Sequence, residues 1–312
     1  MREQYKNEPL VSVVIPTYKR PKAYLSRAVL SVCNQSYKNL EIIIVDDSTA
    51  AYPLRDENEA FIRSLQDERI IYLQNEKNCG GSLSRNRGIF ASSGRYITFL
   101  DDDDEYLPCK VERQVRFMEE QGCDLSLSEM IMYAEDGSVV DCRDYRDLED
   151  FSQEGLMRYH LMKHLTGTPT YMFRAEKLKE IGGFDDAKMG QEFYLMAKSI
   201  RSGLKLGYMP VCDVKIHKHS GEVISSGINK INGENALYKY KKQFFPRLAP
   251  ADRRYIRFRH YAVMVVAYKR NRMPLRMLQA ALAAFVCAPA VFVKEVGGFA
   301  LKILKHRKVK RT

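Results

Sequence analysis

The sequence lacks several patterns that would mark other classes of protein. Its seven cysteines are scattered and include no C-x-x-C pair, which argues against a disulfide framework or a zinc site and suits a reducing cytosol. It contains no internal repeat and no low-complexity segment. Residues 1–9 are polar and resemble no secretory signal, so we expect a cytoplasmic protein. The apolar run Ala280 to Val293 has 14 residues and contains a proline. It is therefore too short to span a bilayer, which takes about 20 apolar residues.

What the sequence does contain is a series of short apolar runs that predict buried strands. Val11 to Ile15 and Glu41 to Val45 are rich in β-branched residues, and further strands are predicted at Arg69 to Leu73 and Tyr96 to Leu100. Between the first two, Ala23 to Gln35 has apolar residues at a helical period. Alternating strands and helices predict βαβ units and therefore an α/β fold with a mostly parallel sheet flanked by helices.

Polar residues follow three of these strands. Thr17, Asp46-Asp47 and the run Asp101 to Asp104 each stand where a predicted strand ends. Open parallel sheets bind ligands beyond the carboxyl ends of their strands, so the three segments predict one site. Four adjacent carboxylates repel one another, and a divalent cation is a natural counter-charge because Mg²⁺ and Mn²⁺ bind carboxylate oxygen. The alternative for an isolated acidic run is a solvated turn.

Five segments together resemble family 2 glycosyltransferases. They occur in the order and at the spacing of that family, within about residues 10 to 225. The resemblance implies the nucleotide-sugar transferase (GT-A) fold, with a Rossmann-like nucleotide half at about 10–110 and an acceptor half at about 111–245. It also implies an inverting transfer from a nucleoside-diphosphate sugar, most often a UDP-sugar. The segments are Val13-Val14-Ile15-Pro16-Thr17-Tyr18, Asn34-Gln35-Ser36-Tyr37, Ile44-Val45-Asp46-Asp47-Ser48-Thr49, Ser84-Arg85-Asn86-Arg87-Gly88 and Phe99-Leu100-Asp101-Asp102-Asp103-Asp104.

The resemblance assigns roles to individual positions of this chain. Thr17 and the pair Asp46-Asp47 would meet the base and the ribose, and Arg85 would lie near the nucleotide. One departure affects base recognition: the family usually continues its second motif as Gly-Ser-Thr-Asp, whereas Asp47 is followed here by Ser48-Thr49-Ala50-Ala51. The whole set implied to bind the nucleotide sugar is Pro16, Thr17, Tyr18, Asp46, Asp47, Arg85, Asp101 and Asp102.

The metal site implied by the resemblance holds Mn²⁺ or Mg²⁺. Asp101 and Asp103 fill the two acidic positions of the D-x-D motif, with Asp103 the principal ligand and Asp101 nearer the ribose. Asp104 is an additional acid without an assigned role. A late family segment places a histidine near the diphosphate or the metal; His219 fills that position, and His217, two residues before it, is the alternative.

An inverting displacement needs a base that removes the proton of the acceptor hydroxyl. The resemblance assigns this role to Glu192, at a position where the family usually has Glu-Asp and this chain has Gln191-Glu192. An apolar stripe at a helical period follows from Phe193 to Ile200, so the carboxylate is predicted in a first helical turn, where the helix dipole favours the ionised form. The alternative is a first-turn acid without a catalytic role.

The C-terminal segment differs in charge from the rest of the chain. Residues 246–312 contain 16 Lys and Arg but only Asp252 and Glu295 as acids, a net charge of +14, whereas residues 1–245 carry −3. Its apolar runs and basic end predict a helical appendage that lies on the inner face of the cell membrane, where cations are attracted to anionic lipid. The alternative is a helical segment packed on the catalytic domain.

Together these patterns predict an inverting hexosyltransferase of bacterial cell-envelope or surface polysaccharide synthesis. Its expected partners are a UDP-sugar, a glycan or lipid-linked acceptor and an anionic membrane surface. Two alternatives come from other classes. A non-catalytic nucleotide or sugar binder would not need Asp101, Asp103 and Glu192 together. A nucleic-acid-binding protein would explain the basic segment but not four acids at a strand end, so we expect no nucleic acid partner.

Overall fold

The computed structural model describes residues 8–218 and 227–293 and divides the chain into two compact units. Of the described residues, the first unit comprises 8–160, 164–187 and 191–218, and the second comprises 161–163, 188–190 and 227–293. The domain boundary after residue 245 and the two halves on either side of residue 110 stay predictions.

The elements of the described residues follow the predicted alternation of strands and helices through β4. The strands are β1 (Val11–Thr17), β2 (Leu40–Asp46), β3 (Ile70–Gln74), β4 (Tyr96–Phe99), β5 (Glu105–Tyr106), β6 (Leu125–Tyr133), β7 (Val139–Arg143), β8 (Tyr171–Arg174) and β9 (Leu206–His217). The helices are α1 (Lys22–Cys33), α2 (Arg55–Ser64), α3 (Gly81–Ala91), α4 (Lys110–Gln121), α5 (Gln153–Lys163), α6 (Ala175–Glu180), α7 (Gln191–Arg201), α8 (Gly227–Lys242), α9 (Pro250–Arg270) and α10 (Pro274–Cys287).

All the strands of the described residues join one sheet, in the order β3-β2-β1-β4-β8-β6-β9-β5, with β7 paired to β6. Strands β3, β2, β1 and β4 are parallel, and β8 joins β4 in the antiparallel direction. Every residue of β2 is buried, as expected where helices cover both faces of a parallel sheet. The predicted α/β fold with a sheet flanked by helices is confirmed.

Helix α3 packs unusually close to the sheet because of Gly88. A Cβ atom at Gly88 would lie 2.4 Å from Cγ1 of Val14 in β1, so a larger residue would push the helix away. Helix α3 is entered through Gly80, whose φ of +84° favours glycine. The close packing brings the polar side chains of α3 to the carboxyl edge of the sheet.

A buried lysine lies beneath the end of β4. The side chain of Lys110 is fully buried, and its Nζ donates hydrogen bonds to Thr98 Oγ1 at 2.5 Å and to the Tyr106 hydroxyl at 3.0 Å. The Tyr106 hydroxyl in turn donates to the carbonyl of Phe99, the last residue of β4. Burial lowers the pKa of Lys110 well below its usual range, and the attraction of Asp213 opposes the shift only in part. The network ties α4 to the strand that carries the aspartates.

The second unit contains α8, α9 and α10. Its buried cluster contains Ile231 of α8, Met264 and Ala267 of α9, and Ala280 of α10. The predicted helical C-terminal region is confirmed for the described residues. In residues 8–218 and 227–293, no helix combines the length and the apolar character that crossing a membrane requires.

The buried lysine generates a prediction about stability and pH. Because the pKa of Lys110 is lower in the folded than in the unfolded protein, the unfolded protein binds more protons between the two values, and stability rises with pH in that window. We expect Lys110→Met to be more stable than the wild type near neutral pH, by about 1–3 kcal/mol, because it removes the buried amine. Urea unfolding at neutral pH and near pH 10 measures both effects, and the advantage of the variant should shrink at the higher pH. An advantage that stays constant with pH would contradict a lowered pKa of Lys110 in the folded protein.

Candidate functional site

The carboxyl ends of β1, β2 and β4 bring the predicted site residues together. Thr17 pairs with Asp46 in the register of β1 and β2, and the backbone N–H of Asp47 donates to the Thr17 carbonyl at 2.8 Å. Strand β4 lies on the other side of β1 and leads directly into Asp101. Thr17 and Asp101, which are 84 positions apart in sequence, therefore share one edge of the sheet with Asp46 and Asp47.

The four aspartates after β4 form a turn in which exposed and buried side chains alternate. The N–H of Asp104 donates to the Asp101 carbonyl at 3.1 Å and closes the turn. The side chains of Asp101 and Asp103 are 34% and 21% exposed, whereas that of Asp102 is 7% exposed and Asp104 is buried. Asp101 and Asp103 are thus the two carboxylates of the turn that a ligand can reach.

Arg20, which follows β1, supplies a counter-charge to this turn. Its Nη2 lies 2.8 Å from Asp102 Oδ1 and 2.9 Å from Asp103 Oδ2, and its Nε also donates to Asp102 at 2.8 Å. Burial raises the pKa of both Asp102 and Asp103, and the attraction of Arg20 opposes the shift in each case. A second arginine, Arg27 of α1, donates to the backbone carbonyl of Asp103. Sequence analysis missed Arg20, although it is part of the first strand-end segment.

The side chain of Asp104 points into the fold and away from the exposed edge of the sheet. Its Oδ1 accepts a hydrogen bond at 3.0 Å from the backbone N–H of His217, the last residue of β9. Burial, together with the charges of Asp101 and Asp103, raises the pKa of Asp104 well above its usual range. The ring of His217 lies 3.6 Å from a carboxylate oxygen of Glu105. His219, the predicted metal-site histidine, lies outside the described residues.

Arg85 of α3 joins the acidic turn to the start of α7. Its Nη2 pairs with Asp101 Oδ1 at 2.5 Å and its Nη1 donates to Gln191 Oε1 at 2.9 Å. The guanidinium also lies over the ring of Phe184, 5.5 Å from its centroid. One cation therefore contacts both the predicted metal and nucleotide site and the residue that precedes the predicted base.

The other residues of the Ser84–Gly88 motif fix this part of the fold. Asn86 exchanges two hydrogen bonds with the backbone of Phe184, at 2.7 and 2.8 Å, and so holds the loop that leads to α7. The Ser84 hydroxyl accepts from Asn75 at 3.1 Å, and Arg87 donates to the side-chain oxygen of Asn75. The motif thus has one residue that faces the acidic turn and several that position the segments around it.

The carboxylates of Asp46 and Asp47 bond to the protein itself. Asp46 accepts from the Ser48 N–H at 2.8 Å and from the Tyr72 hydroxyl at 2.7 Å. Asp47 holds the loop before α3. The donors to Asp47 are Asn75 Nδ2 at 2.7 Å, Cys79 N–H at 2.8 Å and Gly80 N–H at 2.8 Å.

The residues at the end of β1 differ in exposure: Tyr18 is exposed, Pro16 is partly buried and Thr17 is buried. Contacts of these three residues, and of Asp46 and Asp47, with a nucleotide stay predictions.

Glu192 lies in the first turn of α7. The predicted apolar stripe is buried behind it, at Phe193, Met196, Ala197 and Ile200. The start of α7 is held by His160, whose Nδ1 accepts from the Leu165 N–H at 3.0 Å, so that its Nε2 carries the proton and donates to the Phe193 carbonyl at 3.0 Å.

Two tyrosines lie in the electrostatic field of Glu192. Burial raises the pKa of Tyr145 to about 12, and the charge of Glu192 adds to the shift. Burial also raises the pKa of Tyr171 well above its usual range, again with a contribution from Glu192. The Tyr145 hydroxyl donates to the Thr166 carbonyl at 2.6 Å. Glu192 is therefore near enough to two buried tyrosines to raise their pKa values, and the sequence pattern pointed to neither of them.

The acidic turn fits a divalent cation through Asp101 and Asp103. Mg²⁺ is usually held by one or two carboxylates and completes its shell with phosphate oxygens and waters. Two partly exposed carboxylates at the sheet edge meet this requirement. No group of three metal-binding side chains occurs in residues 8–218 and 227–293.

The sequence is similar to those of known glycosyltransferases. Residues 12–182 match the model of glycosyl transferase family 2. An uncharacterized glycosyltransferase of Methanocaldococcus jannaschii is 32% identical over 202 residues, which are 64% of this chain and 67% of that protein. TuaG of Bacillus subtilis, a putative teichuronic acid biosynthesis glycosyltransferase, is 36% identical over 136 residues, or 43% of this chain. Those residues are 52% of TuaG, so the chain matches about half the length of that relative.

The fold resembles that of TarS from S. aureus. The crystal structure of TarS residues 1–349 in complex with UDP-GlcNAc aligns with a TM-score of 0.56 at 18% identity, covering 88% of this chain and 72% of TarS 1–349. The likeness confirms the predicted GT-A-like fold. The family match confirms the prediction of a transferase enzyme, since more than half of the chain is covered. The chain belongs to glycosyl transferase family 2.

Proposed function

We propose that the protein is an inverting glycosyltransferase that moves a sugar from UDP to an acceptor hydroxyl during the synthesis of a surface polysaccharide. The observation that carries the proposal is the contact chain from Asp101 through Arg85 to Gln191, next to Glu192. It links a carboxylate fitted for a metal-bound diphosphate to the helix that carries a candidate base. The similarity to TuaG and to the TarS complex with UDP-GlcNAc supports the polymer class and the donor class.

In this proposal the donor binds at the carboxyl edge of β1, β2 and β4. Tyr18 offers an exposed ring beside Thr17, where a base can stack. Asp47 holds the loop that begins α3 and thereby positions Arg85 towards the diphosphate. Asp102 acts through Arg20, since its carboxylate is buried against that guanidinium.

Asp101 and Asp103 would hold Mn²⁺ or Mg²⁺ together with the diphosphate. When bound, the ion supplies Lewis-acid stabilisation of the negative charge that develops on the departing diphosphate. Arg20 and Arg85 already neutralise part of the charge of these carboxylates. Both guanidiniums are therefore placed to turn towards phosphate oxygens, which Arg binds with two parallel hydrogen bonds.

Glu192 is the proposed general base. The acceptor oxygen attacks the anomeric carbon, the bond from that carbon to the diphosphate oxygen breaks, and its electron pair leaves with UDP. The acceptor proton moves to the carboxylate of Glu192. Attack opposite the leaving group inverts the anomeric configuration. Asp185, which pairs with Lys198 at 2.6 Å, and the neighbouring Asp186 are the next candidates for this role.

The acceptor in this proposal is a glycan or a lipid-linked glycan at the cytoplasmic face of the cell membrane. The net charge of +14 on residues 246–312 supports a location at an anionic surface. An enzyme held at that surface would encounter a lipid-linked acceptor by diffusion within the plane of the membrane.

The metal site leads to the first prediction of this section. Asp103→Asn keeps the shape of the side chain but removes the charge that would bind the cation, so the affinity for UDP in the presence of Mn²⁺ should fall by about tenfold or more. Calorimetry with UDP, in Mn²⁺ or in EDTA, measures the effect. Asp56→Asn, an exposed acid on α2, is the matched control and should bind as the wild type does. Equal affinity of the wild type with and without metal would refute a metal-dependent donor site.

The proposed base leads to a second prediction. Glu192→Gln cannot accept a proton, so transfer should fall by about 100-fold or more while UDP affinity stays unchanged. Glu154→Gln is a matched control because Glu154 is also a first-turn acid, on α5. Sugar transfer and UDP calorimetry separate the two effects. Transfer by Glu192→Gln at nearly the wild-type rate would place the base elsewhere.

Arg85 gives a third prediction, because it contacts both sides of the site. Arg85→Lys keeps the charge but cannot reach Asp101 and Gln191 together, so KM for the donor should rise and kcat should fall, for a loss in kcat/KM of about tenfold or more. Arg63→Lys, in an exposed ion pair with Glu59 on α2, is the control and should leave both constants unchanged. A change in KM alone would show that Arg85 serves the donor without positioning α7.

A further inference from the structure

Helix α10 presents its large apolar side chains outwards. Five of them are between 44% and 76% exposed, and their spacing places them on one face of the helix. We call this face the outer row; its members are Leu275, Leu278, Leu282, Phe285 and Val286. On the opposite face, Ala280 and Ala284 are buried. Helix α10 thus exposes large apolar side chains and buries small ones, whereas a helix at a water-facing surface exposes polar side chains.

The inner face of α10 packs within the second unit. Ala280 belongs to the buried cluster with Ile231 of α8 and with Met264 and Ala267 of α9. Because this packing uses the alanine face, α10 can keep its contacts with α9 while the outer row contacts a partner. A partner surface would therefore meet the helix along its length and not at one end.

The chain segment that contains the outer row carries charge of one sign. From Arg253 to Val293 the chain contains no Asp or Glu. Exposed cations cluster where α9 ends and α10 begins, next to Leu275. They are Lys269, Arg270, Arg272 and Arg276. The partner surface therefore combines an apolar layer with negative charge.

We infer that the outer row of α10 enters the interfacial layer of an anionic bilayer, with the helix parallel to the membrane and the cation cluster on the lipid headgroups. Leu, Phe and Val side chains gain free energy on leaving water, and Lys and Arg near the surface add electrostatic attraction. A second copy of this chain is disfavoured as the partner because it carries the same excess of positive charge, whereas anionic headgroups complement that charge. The lipid-linked acceptor of the proposed function would lie in the same membrane surface. Only this link to the acceptor rests on the proposed function.

Vesicle flotation of the full-length protein tests the outer row. The wild type should float with vesicles of phosphatidylcholine and phosphatidylglycerol. The double variant Leu278→Gln, Leu282→Gln should partition at least about tenfold less, because two apolar side chains are lost from the layer. Both leucines are at least 60% exposed, so their replacement leaves the packed face intact. The matched control is Val139→Gln, Val140→Gln, two exposed apolar residues of β7, which should float as the wild type does.

A second set of vesicles tests the charge. The wild type should bind phosphatidylcholine alone more weakly than the anionic mixture, and the triple variant Lys269→Gln, Arg270→Gln, Arg276→Gln should lose that preference. Equal flotation of the outer-row variant and the wild type would overturn the inference. So would a shift from dimer to monomer in sedimentation without a change in flotation, since the partner would then be a second copy. UDP calorimetry on the same variants should be unchanged, and a failure to bind UDP would count against the donor site and not against the lipid surface.

Discussion

The structure depends on the neutralisation of four consecutive aspartates at the end of β4. Isolated, these carboxylates would repel one another at the edge of an otherwise apolar sheet. Arg20 compensates Asp102 and Asp103, and Arg85 compensates Asp101. The buried Asp104 instead accepts a hydrogen bond from the backbone N–H of His217. Each arginine is held by a different element, one after β1 and the other on α3, so the charge balance of the turn ties these elements to β4.

The same ion pairs organise the two sides of the proposed chemistry. Arg85 of α3 contacts Asp101, which follows β4, and also Gln191 at the start of α7. Asn86 on the same helix hydrogen-bonds to the backbone of Phe184, which precedes α7. The start of α7, which carries the candidate base Glu192, is therefore held by the helix that also contacts the acidic turn. We therefore expect a change of charge at the acidic turn to alter the position of α7, because Arg85 contacts both.

Much of the fold followed from local patterns. Strands β1 and β2 are mostly apolar because both faces of the parallel sheet are covered there, and such runs are visible in the sequence. The antiparallel addition of β8 to β4 was not predicted, since Tyr171–Arg174 is short and its paired residues in β4 are 74 to 78 positions away. The helical period after Glu192 was confirmed because α7 buries one face.

The site was predictable in its acids and less so in their partners. Asp101 and Asp103 are accessible, as a metal site would require, but the sequence could not show that Asp102 and Asp104 turn inwards. Arg20 and Lys110 were missed because their importance comes from burial against distant residues and not from spacing. The outward face of α10 was hidden for the opposite reason: its apolar pattern is that of a packed helix, and only the contacts of Ala280 and Ala284 show which side is inside.

The central claim is that the acidic edge of the sheet binds a metal-chelated nucleotide diphosphate. A crystal structure with UDP and Mn²⁺, with anomalous diffraction to locate the ion, tests it most directly. We expect the ion at about 2.1 Å from carboxylate oxygens of Asp103 or Asp101 and from the diphosphate, with Arg20 or Arg85 turned towards phosphate oxygens. UDP bound elsewhere, or an ion remote from both aspartates, would contradict the account.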